Sequence, residues 1–227
     1  GGQLLAVDPY LSDCVERVEG HVGFKRLLPK ILGPYELEFD CVIATHPHFD
    51  HFDMDTIPQL MSNQRTRLFA SIGCRKEIKR LMMPGGKVFY VKPGDTHTEG
   101  GFQMEFVPCD HGKGAPDAVG VVVTVDGKKI YFAGDTCLRL DWVDTYKEKG
   151  DFDIMAAPIN GKYGNLDGRE CAMLARELKP ALTIPCHYGM FASHGGNPGL
   201  FREAMQELCP GQGYLLMCMG EQFTLGG

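Results

Sequence analysis

The sequence predicts an α/β protein in which two β-sheets pack together with helices outside. Three observations carry this prediction. Apolar, β-prone runs recur along the whole chain with helical segments between them. Hairpins gather in one part of the chain. No repeat, low-complexity tract or linker divides the 227 residues, so a single domain over 1–227 with a sizeable core is expected.

The elements follow in order. "QLLAVD" and "FDCVIATH" read as strands that end at polar residues. The opening "GGQLLAVDPY" reads as a hairpin turn leading into the first of them, with no strand before the turn. An N-terminal strand or two is therefore expected to be missing from this chain, because a lone terminal strand leaves one edge without a partner. "DMDTIPQLMS" is a short helix and "RLFAS" a strand. "CRKEIKRLMM" has helical spacing and stops at Pro84-Gly85-Gly86. "KVFYVKPGD" is a strand running into a turn, and "FQMEFVPCDH" alternates as a half-buried strand does. "GVVVTVDGKKIYFAGD" is the clearest hairpin, with two β-branched or aromatic runs joined at Asp126-Gly127. "FDIMAAPI" and "ALTIPCH" are buried strands. Between them "LDGRECAMLARELKP" forms an amphipathic helix with Ala172, Leu174, Ala175 and Leu178 inward. "NPGLFREAMQELCP" is a helix capped by Asn197 with Pro198 at its first position, and "YLLMCMGEQFTL" closes as a last hairpin.

Composition narrows the partners. Hydrophobic residues make up 44% and charged residues 23%, as in ordinary globular proteins. The formal net charge of -6, without a basic block, argues against nucleic acid held through its phosphates. No apolar run approaches the ~20 residues of a membrane span, and neither a membrane partner nor a signal peptide is expected. Nine cysteines, widely spaced and without CxxC, read as reduced thiols of a cytoplasmic protein. Homo-oligomerisation is left open.

Chemistry concentrates in "THPHFDH", where His46, His48, Asp50 and His51 follow a continuous apolar strand. His46 and His48 can point the same way from an extended segment. Asp50 and His51 are expected in the first turn of the next helix, facing back. Imidazoles and carboxylates are ligands for Zn, Mn and Fe, and gathering them without a metal leaves polar groups unpaired. Three further polar residues end apolar strands in the same manner: His111, Asp135 and His187. His21 and His97 lie in polar, Gly-rich stretches and read as surface histidines. Cys109, Cys137 and Cys186 sit within two residues of candidate ligands; a thiolate there would favour Zn, although strand cysteines commonly serve as small hydrophobes. Asp8, which ends the first strand, either orients a ligand histidine from behind or forms an Asx turn before Pro9.

HxHxDH, a later His, an Asp in "GDT" and a last His after an apolar strand together resemble the metallo-β-lactamase superfamily, over nearly the whole chain. The second half, from "AAPINGKYGN" to "PGQGYLLMCMGEQFTL", resembles the branch of bacterial hydrolases that includes L-ascorbate-6-phosphate lactonase. The resemblance implies an αββα sandwich of two mixed sheets flanked by helices, with a dinuclear metal site at their shared edge. It implies that His46, His48 and His111 hold one ion, that Asp50, His51 and His187 hold the other, and that Asp135 bridges them. Two divalent ions, Zn or Mn and alternatively Fe, would lower the pKa of a shared water so that its hydroxide attacks carbonyl carbon or phosphorus. Asp50 would orient the water or take its proton.

The leaving group needs a proton or a positive charge. His194 in "FASHGGNP" and Tyr188 beside His187 are the candidates, with a locally bonded loop histidine as the other reading of His194. In an acidic chain an anionic substrate is held by a few placed cations. Lys113 in "HGKGAP" and Lys162, with Asn160 and Tyr163 in "PINGKYG", are candidate substrate contacts or else solvated surface groups. The expected function is metal-dependent hydrolysis of a small anionic molecule, such as a sugar-phosphate lactone. The alternatives are a phosphodiesterase or nuclease, a non-haem iron redox centre and a non-catalytic metal-binding scaffold.

Overall fold

The structure, a computed structural model, describes residues 2–226. Leu5–Val7 (β1), Cys41–Ala44 (β2), Arg67–Ser71 (β3) and Val88–Val91 (β4) form one sheet in that order. All three of its pairings are parallel. Thr96–Glu99 (β5), Phe102–Pro108 (β6), Val119–Val125 (β7), Lys128–Phe132 (β8), Ile154–Pro158 (β9), Leu182–Cys186 (β10) and Gly213–Tyr214 (β11) form a second sheet, ordered from β11 at one edge to β5 at the other. It is antiparallel from β5 to β8 and parallel from β8 to β11. Only this larger sheet is mixed; the smaller is wholly parallel, so the expectation of two mixed sheets holds for one. β1 is an edge strand paired to β2, and Gly1, with which the expected opening turn begins, lies outside the described residues.

Side-chain alternation distributes the core into three layers. Cys41 and Ile43 of β2 pack with Phe69, Val91, Met104, Phe106, Val119, Val121 and Val123 between the sheets. The intervening Val42 and Ala44 point the other way, with Leu68 and Ala70, onto Ile57 and Leu60 of Thr56–Leu60 (α2) and Ile78 of Arg75–Arg80 (α3). On the outer face of the larger sheet, Tyr131, Met155 and Ala157 pack against Val143–Lys147 (α4), Gly168–Leu178 (α5) and Pro198–Leu208 (α6). The result is helix, sheet, sheet, helix, as expected. Ala172, Leu174, Ala175 and Leu178 of α5 are all buried. Its N-terminus carries a full capping box, Asp167 accepting from Glu170 N while Glu170 accepts from Asp167 N. Asn197 caps α6 through Gly199 N and Leu200 N.

The Asp126-Gly127 turn has positive φ at both residues, 49° and 74°, as a two-residue type I′ hairpin requires. Three expectations are corrected. "YLLMCMGEQFTL" forms no hairpin; only Gly213–Tyr214 pairs, in parallel with β10, because its apolar groups find cover beside the core rather than in a ladder. "THTE" is a strand, β5, that pairs with β6 across Gly100-Gly101. His97 therefore sits half-buried on β5, its ring 5.2 Å from that of Phe69 and 6.0 Å from Phe89, rather than in a surface loop. His21 is exposed, as read.

Candidate metal centre

Ligand-type side chains leave the ends of β2, β6, β8 and β10 and meet at the common edge of the two sheets. His46 follows β2 and is fully buried. Asp50 and His51 are not in a helix. They lie in an isolated turn closed by His51 N and Phe52 N donating to His48 O, five residues ahead of α2. This correction arises because Asp53 accepts bonds from Ser12 and Thr56 and starts the helix only after the turn. Phe52, wholly buried, anchors the turn against α2.

Two trios result. In the first, His48 Nδ1 lies 3.0 Å from His46 Nε2 and 3.2 Å from His111 Nε2. In the second, His51 Nε2 and His187 Nε2 are 3.0 Å apart, and Asp50 Oδ2 lies 3.5 Å from the former and 3.3 Å from the latter. Asp135 joins them: its Oδ1 is 3.4 Å from His51 Nε2 and 3.3 Å from His187 Nε2, and its Oδ2 is 3.7 Å from His111 Nε2. Nitrogens bound tetrahedrally to one ion at ~2.05 Å are about 3.3 Å apart, so these separations suit donor atoms that share a cation. Either trio could hold a metal ion. The structure brings all seven expected donor side chains together at this edge.

Asp8 sits behind both trios. Its backbone takes a left-handed φ of 50°, which turns the carboxylate back toward the strand ends. Oδ1 accepts from Thr45 N, and Oδ2 accepts from Thr45 Oγ1 and from His51 Nδ1, at 2.8, 2.7 and 2.7 Å. Since Thr45 Oγ1 donates to Asp8, it accepts from His46 Nδ1 at 3.0 Å. One carboxylate thereby fixes which nitrogen of His46 and of His51 faces the cluster. Thr45 was overlooked in the sequence, although it directly precedes the first histidine. Asn165, whose Nδ2 donates to Asp135 Oδ2 at 2.8 Å, left no signal beyond its place in a loop after a buried strand.

Charges in the cluster shape one another. Burial would raise the Asp50 pKa, but His51 and then His187 hold it below the ordinary carboxylate range. Burial opposes ionisation of Asp135 too, and His187 and His51 keep it well below that range. Burial works against charge on His51 and His187, yet Asp135 and Asp50 raise both above the usual histidine value. His46 is pushed well down by burial and by His51, and burial pushes His111 down to about 4.

A cavity of about 390 Å³ adjoins the second trio, lined by Asp8, Asp50, His51, Asp135, His187 and His194 together with apolar groups including Val7, Tyr10, Phe132, Tyr188 and Phe191. His194 is half-buried, and burial followed by the His187 charge lowers its pKa to about 4. Tyr188 donates to Met217 O at 3.4 Å. Among the described residues no lysine or arginine lines this cavity. Lys162 is exposed and donates to Ser193 O, and Asn160 is buried with its Nδ2 on Lys162 O. Lys113 is exposed on the Gly112–Gly114 turn, beside Gly114, where a Cβ would lie 3.6 Å from His48 Nε2. Of the nearby cysteines, Cys109 is buried on Asp135 O, Cys137 is half-buried, and Cys186 opens into the cavity. None joins either trio.

Two back-to-back sheets with His and Asp donors at their shared edge define a metal-binding α/β protein. The chain belongs to the β-lactamase superfamily as a metal-dependent hydrolase, the family model described as "Beta-lactamase superfamily domain" matching residues 7–188. It is similar to a UPF0173 metal-dependent hydrolase of Thermococcus onnurineus, 30% identical over 80% of this chain and 85% of the relative. A UPF0173 metal-dependent hydrolase of Aeropyrum pernix is 27% identical over 92% and 85% of the two chains. Among solved structures, a possible metal-dependent hydrolase from Veillonella parvula shares the fold with a TM-score of 0.76, covering 99% of this chain and 93% of that one at 19% identity.

Proposed function

We propose that this hydrolase works with two divalent ions, one held by His46, His48 and His111 and the other by Asp50, His51 and His187, with Asp135 between them. A single observation carries the reading: the two oxygens of Asp135 reach the two trios separately. The donor set of imidazoles and carboxylates without thiolate suits Zn or Mn, then Fe. Bound there, the ions supply water activation and polarisation of the substrate's oxygen. The chain's own contribution is orientation and proton handling. Asp8 and Thr45 set the tautomers of His51 and His46. Asp50, whose Oδ2 lies 3.5 Å from His51 Nε2 and 3.3 Å from His187 Nε2, would take the proton of the attacking water at a carboxylate oxygen. Apolar walls of the adjoining cavity keep bulk water from competing.

The substrate we propose is a small anionic ester, with a sugar-phosphate lactone as the leading example. An acidic chain supports this choice, since the ions themselves are then the local positive focus. Lys113, on the turn whose Gly114 faces His48, is the lysine we assign to the substrate's outer end. Nine free cysteines support a cytoplasmic setting, and the net charge of -6 counts against a nucleic-acid partner. No helix of the described residues is long and apolar enough to cross a membrane. Metal analysis joined to a screen of lactones, phosphodiesters and thioesters tests the reading. The expected outcome is two ions per chain, turnover of a charged lactone, and loss of both ions and all turnover in Asp135→Ala. A protein with no bound ion, or one whose ions survive Asp135→Ala, ends the dinuclear reading. Turnover confined to phosphodiesters replaces the lactone.

A further inference from the structure

His187 differs from His46 and His51 in how its ring is held. Those two donate Nδ1–H to Thr45 and Asp8, whereas Nδ1 of His187 is buried without a hydrogen-bond partner. Its backbone is left-handed, with φ of 57°, and no hydrogen bond reaches the imidazole on the side away from the cluster. It lies instead nearly parallel to two other rings. His51 is 5.1 Å away at 18° between planes, and His194 is 4.8 Å away at 25°.

His194 is itself clamped. Its ring makes no hydrogen bond among the described residues, and its Nδ1 is buried without a partner. Phe24 and Phe191 lie nearly perpendicular to it at 5.7 and 5.0 Å, and Tyr163 lies 5.6 Å away. Three hydrogen bonds brace the loop beneath, two to residues 23–25 and one from Lys162. Ser193 N donates to Gly23 O, Ala192 N donates to Lys25 O, and Lys162 Nζ donates to Ser193 O at 2.9 Å. Gly195 and Gly196 let the loop press on its neighbours, because a Cβ at the first would collide with the Asn160 carbonyl oxygen and at the second with Tyr188. Lys162 is thereby occupied with the loop rather than free for substrate.

We propose that His194 is a positioning residue: the flat face of its clamped ring, not its nitrogens, holds His187 in the orientation that completes the second metal trio. The proposal rests on the reading of His187 as a ligand. A ligand imidazole is ordinarily steered through its other nitrogen, and stacking takes over that task where the nitrogen has no partner.

The test measures ion binding in the full chain by Zn²⁺ titration against a competing chelator, with His187→Ala as the control that removes one ion. His194→Ala should weaken the weaker-bound ion by about tenfold or more, the usual cost of losing such a support. His194→Phe, which keeps a ring and loses both nitrogens, should bind it as the wild type does. Wild-type affinity in His194→Ala overturns the proposal. So does a His194→Phe variant as weak as His194→Ala, since the nitrogens would then be what matters. If His194→Ala does not fold, Lys162→Ala, an exposed site, decides: loss of the tether should weaken the same ion several-fold, and wild-type affinity overturns the proposal. A wild type that binds no Zn²⁺, or a His187→Ala that keeps both ions, overturns the metal-site reading itself.

Discussion

Asp8 serves two histidines with one carboxylate, accepting from His51 directly and from His46 through Thr45. Its replacement by alanine removes both supports together. Asp8→Ala should therefore weaken ion binding by about 10–100-fold while leaving the ligands in place, as competition with a chelator would show; unchanged affinity would refute the shared-support role. The metal-free state should also carry an unusual pH signature. His51 and His187 have raised folded-state pKa values, so their stabilising contribution is full below the ordinary ~6.5 and is lost as pH rises through those values. His46 and His111 have lowered values, so the unfolded chain takes up protons first and stability falls as pH drops below ~6.5. Chelated protein is expected to melt highest near pH ~6.5 and lower on either side. A monotonic trend in melting temperature from pH 5 to 9 would contradict these assignments.

At the scale of elements, α5 depends on its capping box. Asp167→Ala should cost about 1 kcal/mol and lower the melting temperature by about 2–4 °C without affecting ion content. An unshifted transition would mean that packing of Leu174 and Leu178 alone holds the helix. This helix was legible in the sequence because its apolar spacing and the proline that stops it, Pro180, agree, whereas its capping box was not read there. The Asp126-Gly127 hairpin was legible because positive φ at consecutive positions has few sequence solutions. β5 was not, since "THTE" is polar and owes its strand conformation to pairing with β6 rather than to its own residues. The C-terminal apolar run misled in the opposite sense, since Leu216 and Tyr214 pack beside the helical core without needing a ladder. All seven candidate ligands stood out because each ends an apolar strand or follows one at short spacing. Their supports did not. Thr45 meets Asp8 and Asn165 meets Asp135 across segments far apart in sequence, and the ring of His194 reaches His187 through an irregular loop, none of which local pattern encodes.

For the molecule as a whole, ions at the sheet junction should act on stability. A cation that binds only the folded chain adds about 2.7 kcal/mol at a hundredfold excess over Kd, or about 5–10 °C in melting temperature for a chain of this size. Verified removal of metal should produce that drop, and an unmoved transition would show that the carboxylates and imidazoles are satisfied without it. The two sheets also divide the chain cleanly, the smaller formed by residues between Leu5 and Val91 and the larger by residues between Thr96 and Tyr214. This partition has a consequence in time. His46, His48 and His51, with Thr45 and Asp8 behind them, all belong to the first half and can assemble from nearby segments. Their counterparts His111, Asp135 and His187 belong to the second. Neither half can close a cation site that spans both, and pairings between distant parts of a chain form slowly. In a refolding experiment, far-ultraviolet circular dichroism should recover first and a Co²⁺ absorption signal last, so that ion capture clocks the moment the halves dock. Simultaneous recovery of the two signals would show that the halves fold as one.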